Sequence, residues 1–195
     1  MLRKAAWCEC GLNMLVILSG LPGTGKTTIA RELARQLNAV HVRIDSIEQA
    51  LRDSGSLTGP MDDAGYRVGY AIAEDNLLVG RTVIADSVNP ISLTRDHWLS
   101  IAKAAHHEAL EVEIKCSDIA EHQHRVETRV EDIPGHRLPT WQEVITRDYH
   151  HWDRRHLVID TATHTLMQAV ALIVDEVDAI IRDSGKPSDP FHTPE

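Results

Sequence analysis

A chain of 195 residues, 43% apolar and 25% charged, has room for one α/β domain with a sizeable core but not for two ordinary domains. Its formal charge of −9 argues against general adhesion to nucleic acid, which needs a basic surface, while leaving room for a local basic groove. No uninterrupted apolar run approaches the roughly 20 residues that span a bilayer, the opening residues lack the apolar stretch of a secretory signal, and three cysteines fit a reducing compartment. The expected location is cytoplasmic.

Met14–Ser19 is a continuous apolar run closed by a turn and predicts a buried parallel strand. Gly25–Leu37 follows as a helix with Ile29, Leu33 and Leu37 on one stripe. Val40–Ile44 predicts a second strand, leading into a helix at Ser46–Asp53. After the break SGSLTGP, a helix capped by Asp62 or Asp63 runs to Val79, with Gly80 as its C-terminal cap. Thr82–Ala85 reads as a third strand, Ile91–His106 as a helix and Leu110–Lys115 as a fourth strand. Ser117 or Asp118 caps the next helix, which carries Ile119, Val126 and Val130. Beyond the Pro/Gly-broken EDIPGHRLP, Thr140-Trp141-Gln142-Glu143 forms a capping box, each end able to satisfy the other's free backbone N–H. Leu157–Ile159 is a short fifth strand and Leu166–Ile181 a final amphipathic helix.

Strands alternating with helices predict right-handed βαβ units, hence a three-layer α/β/α fold around a five-stranded parallel sheet. The expected organisation is an N-terminal extension over 1–13, one domain over 14–182 and a polar, Pro-rich disordered tail over 183–195, with Met14 as the working start. Cys8-Glu9-Cys10 is half a metal site with no second pair and reads as incidental. His122/His124 and His150/His151 fit no H-E-x-x-H zinc pattern and read as solvated helix faces.

The chemistry starts at Gly20-Leu21-Pro22-Gly23-Thr24-Gly25-Lys26-Thr27, which fits G-x-x-x-x-G-K-[ST] between an apolar strand and an amphipathic helix. Gly20, Gly23 and Gly25 allow backbone amides to point at phosphate oxygens, and the helix start adds its positive dipole. Lys26 neutralises the β/γ charge, the Thr27 hydroxyl ligates Mg²⁺, and Thr28 completes the phosphate-binding turn. Strand two ends in HVRID and strand three in TVIAD, and ligands of open parallel sheets sit beyond the carboxyl ends of strands. Asp86 is thus placed to hold Mg²⁺ through water, and Asp45 to orient or deprotonate an acceptor hydroxyl. Each could instead be only a helix N-cap.

Arg125 and Arg129, four residues apart on the Asp118–Val130 helix, and Arg137 beyond Pro134-Gly135 predict a lid that brings positive charge over a transferring phosphoryl group. Arg147 is a weaker candidate on the returning helix. The acceptor is expected between Asp45 and the Asp62–Val79 helix, where Gly65 and Gly69 permit close packing and Arg67 or Tyr70 faces it. Asn89 and Arg95, from SVNPISLTRDHW, are expected near the same cleft, with Asp86 on the acceptor side as well.

Taken in that order, these features resemble the small P-loop kinases that include the 5′-kinase domain of phage polynucleotide kinase, chloramphenicol phosphotransferase, gluconate kinase and zeta-type toxins, often described as AAA-family ATP-binding proteins. The resemblance covers residues 14–181, and VIADSVNP followed by Arg95 and Trp98 is similar to the polynucleotide-kinase-like branch. It implies Asp45 as the base, Arg125 packed on adenine, Arg129 reaching the phosphates, and Thr161 to Thr165 bordering the base, with ATP and Mg²⁺ bound. The chain departs from polynucleotide kinases at Glu48, where an arginine often follows the base by three residues. That, with the acidity, points away from a nucleic-acid 5′ end. The expected function is transfer of the ATP γ-phosphoryl group to a hydroxyl of a small molecule. The alternatives are a polynucleotide 5′-hydroxyl kinase and an ATP-binding regulatory module with little transfer. No membrane partner is expected, and the assembly is a monomer or homodimer.

Overall fold

The computed structural model describes residues 13–184 apart from 56 and 58. Of the expected extension only Asn13 is among them, so Cys8 and Cys10 lie outside the described residues, as does the expected tail beyond Ser184.

The elements run β1 (Met14–Ser19), α1 (Lys26–Leu37), β2 (Val40–Arg43), α2 (Ile44–Asp53), α3 (Ala64–Leu78), β3 (Val83–Asp86), α4 (Ser92–Ala104), β4 (Glu108–Lys115), α5 (Ile119–Thr128), α6 (Trp141–Ile145), β5 (Leu157–Asp160) and α7 (Leu166–Ser184). All strand pairs are parallel, in the order β2-β3-β1-β4-β5. Successive residues of a strand face opposite sides, and here both sides are covered, which is why β1 is apolar throughout. Met14, Val16 and Leu18 pack with Ile29 and Leu33 of α1 and Val170 and Ile173 of α7. Leu15 and Ile17 pack with Ala73 and Leu77 of α3 and Trp98 and Ile101 of α4. No helix among the described residues is long and apolar enough to cross a membrane.

Local signals hold where they are short-range. Gly80 takes φ +74 just past α3, and the bonds Gly80 N–H to Leu77 O and Arg81 N–H to Asn76 O close a Schellman motif. Thr140 and Glu143 form the capping box of α6, and Asp118 caps α5 by accepting from the Glu121 N–H at 3.0 Å.

Three expectations change. β2 ends at Arg43, and Ile44 already belongs to α2, so Asp45 stands in the first turn of a helix rather than at a strand end. The reason is packing: Ile44 turns into the core over Gly69, where a Cβ would fall 2.4 Å from Ile44 Cδ1. Secondly, α5 stops at Thr128, and Arg129 is its extended C-cap (ψ 140) instead of a helical residue. Ile119 and Val130 are 71% and 86% exposed, so of the expected stripe only Val126 is buried. This helix packs on the phosphate loop, not on the sheet. Thirdly, His122 is 6% exposed and no solvated face.

One face of β4 is charged. Glu111 and Glu113 meet Arg154 and His156 of the segment after α6, with a two-toothed Arg154–Glu111 pair at 2.6 and 2.8 Å. That segment covers the sheet there in place of a helix.

Candidate active site

The sheet order puts β1 at the topological switch, with β3 and β4 on either side, and the phosphate loop leaves its carboxyl end. Gly20 has φ +138, and a Cβ there would stand 2.1 Å from the Ile114 carbonyl oxygen, so only glycine lets the loop pass β4. Gly25 (φ +95) is the N-cap of α1, leaving the first N–H groups of that helix open to phosphate. The Leu21 carbonyl accepts from both Thr24 Oγ1 and Lys26 Nζ at 2.9 Å, holding the loop in shape. Burial pushes the Lys26 ammonium down to about 8, although the nearby Asp86 and Asp45 charges oppose this.

Asp86 is 3% exposed and accepts a hydrogen bond from His41 Nε2 at 3.1 Å. Burial raises its carboxyl, but the His41 bond, the Lys26 charge and Thr27 outweigh it and hold it below its ordinary value. An ionised carboxylate beside a loop threonine suits Mg²⁺, which binds through one or two carboxylates plus phosphates and water. Among the described residues no group of three or more His, Cys, Asp or Glu could cage a metal alone. Thr27 and Asp86 are therefore the residues that fit this ion.

These groups open into a cleft of about 1090 Å³ that also takes in Asp45, Glu48, Arg129 and Arg137. Asp45 has a side chain 42% exposed, with Arg43 Nη2 at 3.9 Å. Arg43 itself is engaged elsewhere: Nη1 and Nη2 donate to Asp132 at 2.8 and 3.0 Å, and Arg31 of α1 reaches the same carboxylate. Burial disfavours the Arg129 guanidinium and lowers it, and its Nε is buried with no hydrogen-bond partner. Arg137 pairs with Glu143 at 2.6 Å on the rim, and Arg147, just past α6, lines the cleft as well.

On the other side of the loop, Arg125 donates to Thr161 Oγ1 at 2.9 Å and to its carbonyl at 3.3 Å. The Thr161 hydroxyl bridges to the Thr24 carbonyl at 3.0 Å. Thr28, Arg125, Thr161 and Leu166 border a second cavity of about 520 Å³, so the residues expected around a base do meet.

Of the expected acceptor residues, Asp45 and Asp86 line the cleft, whereas Arg67, Tyr70, Asn89 and Arg95 do not. Arg67 is exposed on α3 and outside the cleft. Tyr70 is buried, stacked on His97 at 4.1 Å, with its hydroxyl donating to the Thr94 carbonyl. Asn89 is 0% exposed: its amide donates to Ser19 Oγ at 3.1 Å and its Oδ1 accepts from Trp98 Nε1 at 3.0 Å. Arg95, 1% exposed, donates to the carbonyls of Asn89 and His150 at 2.9 Å and lies between the Tyr149 and Trp152 rings. These last two organise the protein interior.

Sequence reasoning passed over His136, which lines the cleft, and His41, which holds Asp86; it gave Tyr66, Ser87 and Asp132 no part in the site, although the first two line the cleft and Asp132 holds Arg43. Only His122 left a trace, lying one helical turn before Val126 on the buried face of α5.

A model of the AAA domain family (AAA_33) matches residues 15–147. The chain belongs to this AAA-domain family. Among solved structures, Mycobacterium tuberculosis APS kinase CysC in complex with AMPPNP and APS is similar, with 17% identity over 86% of this chain and 98% of that one (TM-score 0.63). A gluconokinase from Sinorhizobium meliloti 1021 shares 13% over 90% and 96% (TM-score 0.61). Chaetomium thermophilum Kti12 in complex with ADP-AlF3 shares 22% over 85% and 98% (TM-score 0.63). At these identities the likeness is one of fold: the AAA-domain protein has the three-layer P-loop kinase fold. A Lon protease from Lachnoclostridium phytofermentans is 36% identical over 88 residues, 44% of this chain, and the chain spans only 10% of that relative's length.

Proposed function

We propose that this protein transfers the γ-phosphoryl group of ATP to a hydroxyl of a small-molecule acceptor. The observation that carries the reading is Asp45, a carboxylate with only a 3.9 Å ionic neighbour, opening into the same cleft as Lys26, Thr27, Asp86 and Arg129. A protein that only bound nucleotide would need no such carboxylate in the cleft of its phosphate loop. Asp45 orients the acceptor hydroxyl and takes its proton. Lys26 and the open amides at the start of α1 hold the β- and γ-phosphates. Thr27 and Asp86 would hold Mg²⁺, which supplies charge neutralisation on the transferring group. Arg129 adds charge over that group, and Arg137 joins it by exchanging Glu143 for phosphate as the lid closes. The APS kinase relative, in complex with AMPPNP and APS, fits this reading.

Asp45→Asn is the test. Transfer should fall by about 10²- to 10⁴-fold while ATP still binds. Unchanged transfer would remove Asp45 as the base. ATP turnover that no acceptor accelerates in the wild type would turn the reading to an ATP-hydrolysing regulatory module.

A further inference from the structure

We infer that the acceptor is a polyhydroxylated or amino-hydroxylated small molecule without anionic groups, recognised by Glu48 acting beside Asp45. This rests on the phosphotransferase reading above and deepens it.

Asp45 and Glu48 are three residues apart on α2, so they share a face, and both line the cleft. Glu48 is seated by design of the backbone around it. A Cβ on Gly65 would stand 2.3 Å from Glu48 Cγ and 3.0 Å from its Oε1, so α3 is notched where this carboxylate lies. The Glu48 side chain is only 20% exposed. Burial, against the opposing charge of Arg52, raises its carboxyl above the ordinary value.

A second observation points to a ligand at the same place. Ser87 is 4% exposed and lines the cleft with its hydroxyl hydrogen-bonded to the Tyr66 phenol, so these two hydroxyls form one polar wall. His136 Nδ1, also in the cleft wall, is buried without a hydrogen-bond partner. A hydroxyl pair and an unpartnered ring nitrogen beside two carboxylates match a ligand that both donates and accepts, as sugars and amino alcohols do.

The cations argue the same way. Both terminal nitrogens of Arg43 are held by Asp132, and Arg52 is paired with Glu48 at 3.3 Å. Lys26, with the Arg129 and Arg147 charges close to it, belongs to the phosphate side, and Arg137 is paired with Glu143. A phosphate or carboxylate on the acceptor would meet Asp45 and Glu48 as like charges, whereas a hydroxyl or ammonium satisfies them. In the transfer, the acceptor oxygen bonds to the γ-phosphorus as the bond to the β-bridging oxygen breaks. The hydroxyl proton passes to Asp45, and ADP leaves.

The test is ADP release from Mg·ATP with glucosamine and myo-inositol on one side and a hexose phosphate and a 5′-hydroxyl oligonucleotide on the other. The inference expects stimulation by a member of the first pair and by neither of the second. For the stimulating compound, Glu48→Gln should raise KM about tenfold at unchanged KM for ATP, with recovery in Glu48→Asp. Stimulation by the anionic pair alone overturns the inference and leaves the kinase reading standing. If none of the four stimulates, saturation-transfer NMR with Mg·AMPPNP decides. Glucosamine or inositol binding that Glu48→Gln abolishes supports the inference. Binding of neither, or binding indifferent to that change, overturns it, while Asp45→Asn judges the kinase reading separately.

Discussion

His122 of α5 donates its ring Nε2–H to the carbonyl oxygen of Pro22, 2.8 Å away, so this helix is fastened to the phosphate loop. The ring also meets Trp141 of α6 edge-on, with centroids 5.1 Å apart. Val126, one turn along α5, covers Gly23, where a Cβ would fall 2.5 Å from Val126 Cγ2. Any displacement of α5 would thereby be felt directly by the phosphate loop.

His122→Phe keeps the ring and its contact with Trp141 but removes the donor. The Pro22 carbonyl then loses its partner, and KM for ATP should rise roughly tenfold with a smaller effect on kcat. Steady-state ADP release measures this. Equal KM values in the two proteins would show that the bond does not support the loop.

Lys26 makes ATP affinity depend on pH. Its charged form binds phosphate, and burial lowers the ammonium to about 8, so affinity of the free protein should fall as pH rises through that value. The stability effect has the opposite sign. Between about 8 and 10.5 the folded protein holds fewer protons than the unfolded chain, so stability rises with pH across that interval. Fluorescent-ATP titrations across this range, compared with Lys26→Met, check the first part; a wild-type profile as flat as that of the variant would contradict it.

Asp132 ties the segment after α5 to α1 and β2 through Arg31 and Arg43. Hydrogen bonds from Arg43 hold its carboxyl well below the usual carboxylate range. Because its folded value is depressed, its contribution is present above the unfolded carboxylate value and is lost as pH falls. Asp132 is 41% exposed and Arg31 46%, so Asp132→Asn should cost only about 1 kcal/mol, or a Tm lower by ~2–4 °C at neutral pH. In thermal scans the difference should shrink below about pH 4. A gap that persists at lower pH would mean the charge is not its source.

Asn89 is predicted to be a folding residue. Asn89→Ala leaves the Trp98 indole N–H and the Ser19 hydroxyl without their buried partner, at a cost of about 2 kcal/mol in denaturant unfolding. If instead the acceptor KM changed with stability intact, Asn89 would belong to the binding site after all.

What could be read directly from the residue order depends on neighbours. The phosphate loop is one contiguous run between a strand and a helix, the Thr140–Glu143 box spans four residues, and Gly80 ends a helix within its own turn. Their physics is backbone geometry and short-range hydrogen bonding, so local order suffices. The alternation of apolar runs with helical stripes likewise implied a parallel sheet covered on both faces.

The faces that side chains take across the fold are another matter. Arg95 and Asn89 carry polar groups typical of a cleft, yet buried carbonyls, an indole N–H and two aromatic rings claim them instead. His122 looks like any surface histidine until α5 is laid on Pro22, 100 residues away in the chain. Glu48 becomes a candidate reader of the acceptor only once α3 brings Gly65 against it. In each case the partner is distant in the chain, and burial decides whether a polar group must be satisfied inside or is left for a ligand.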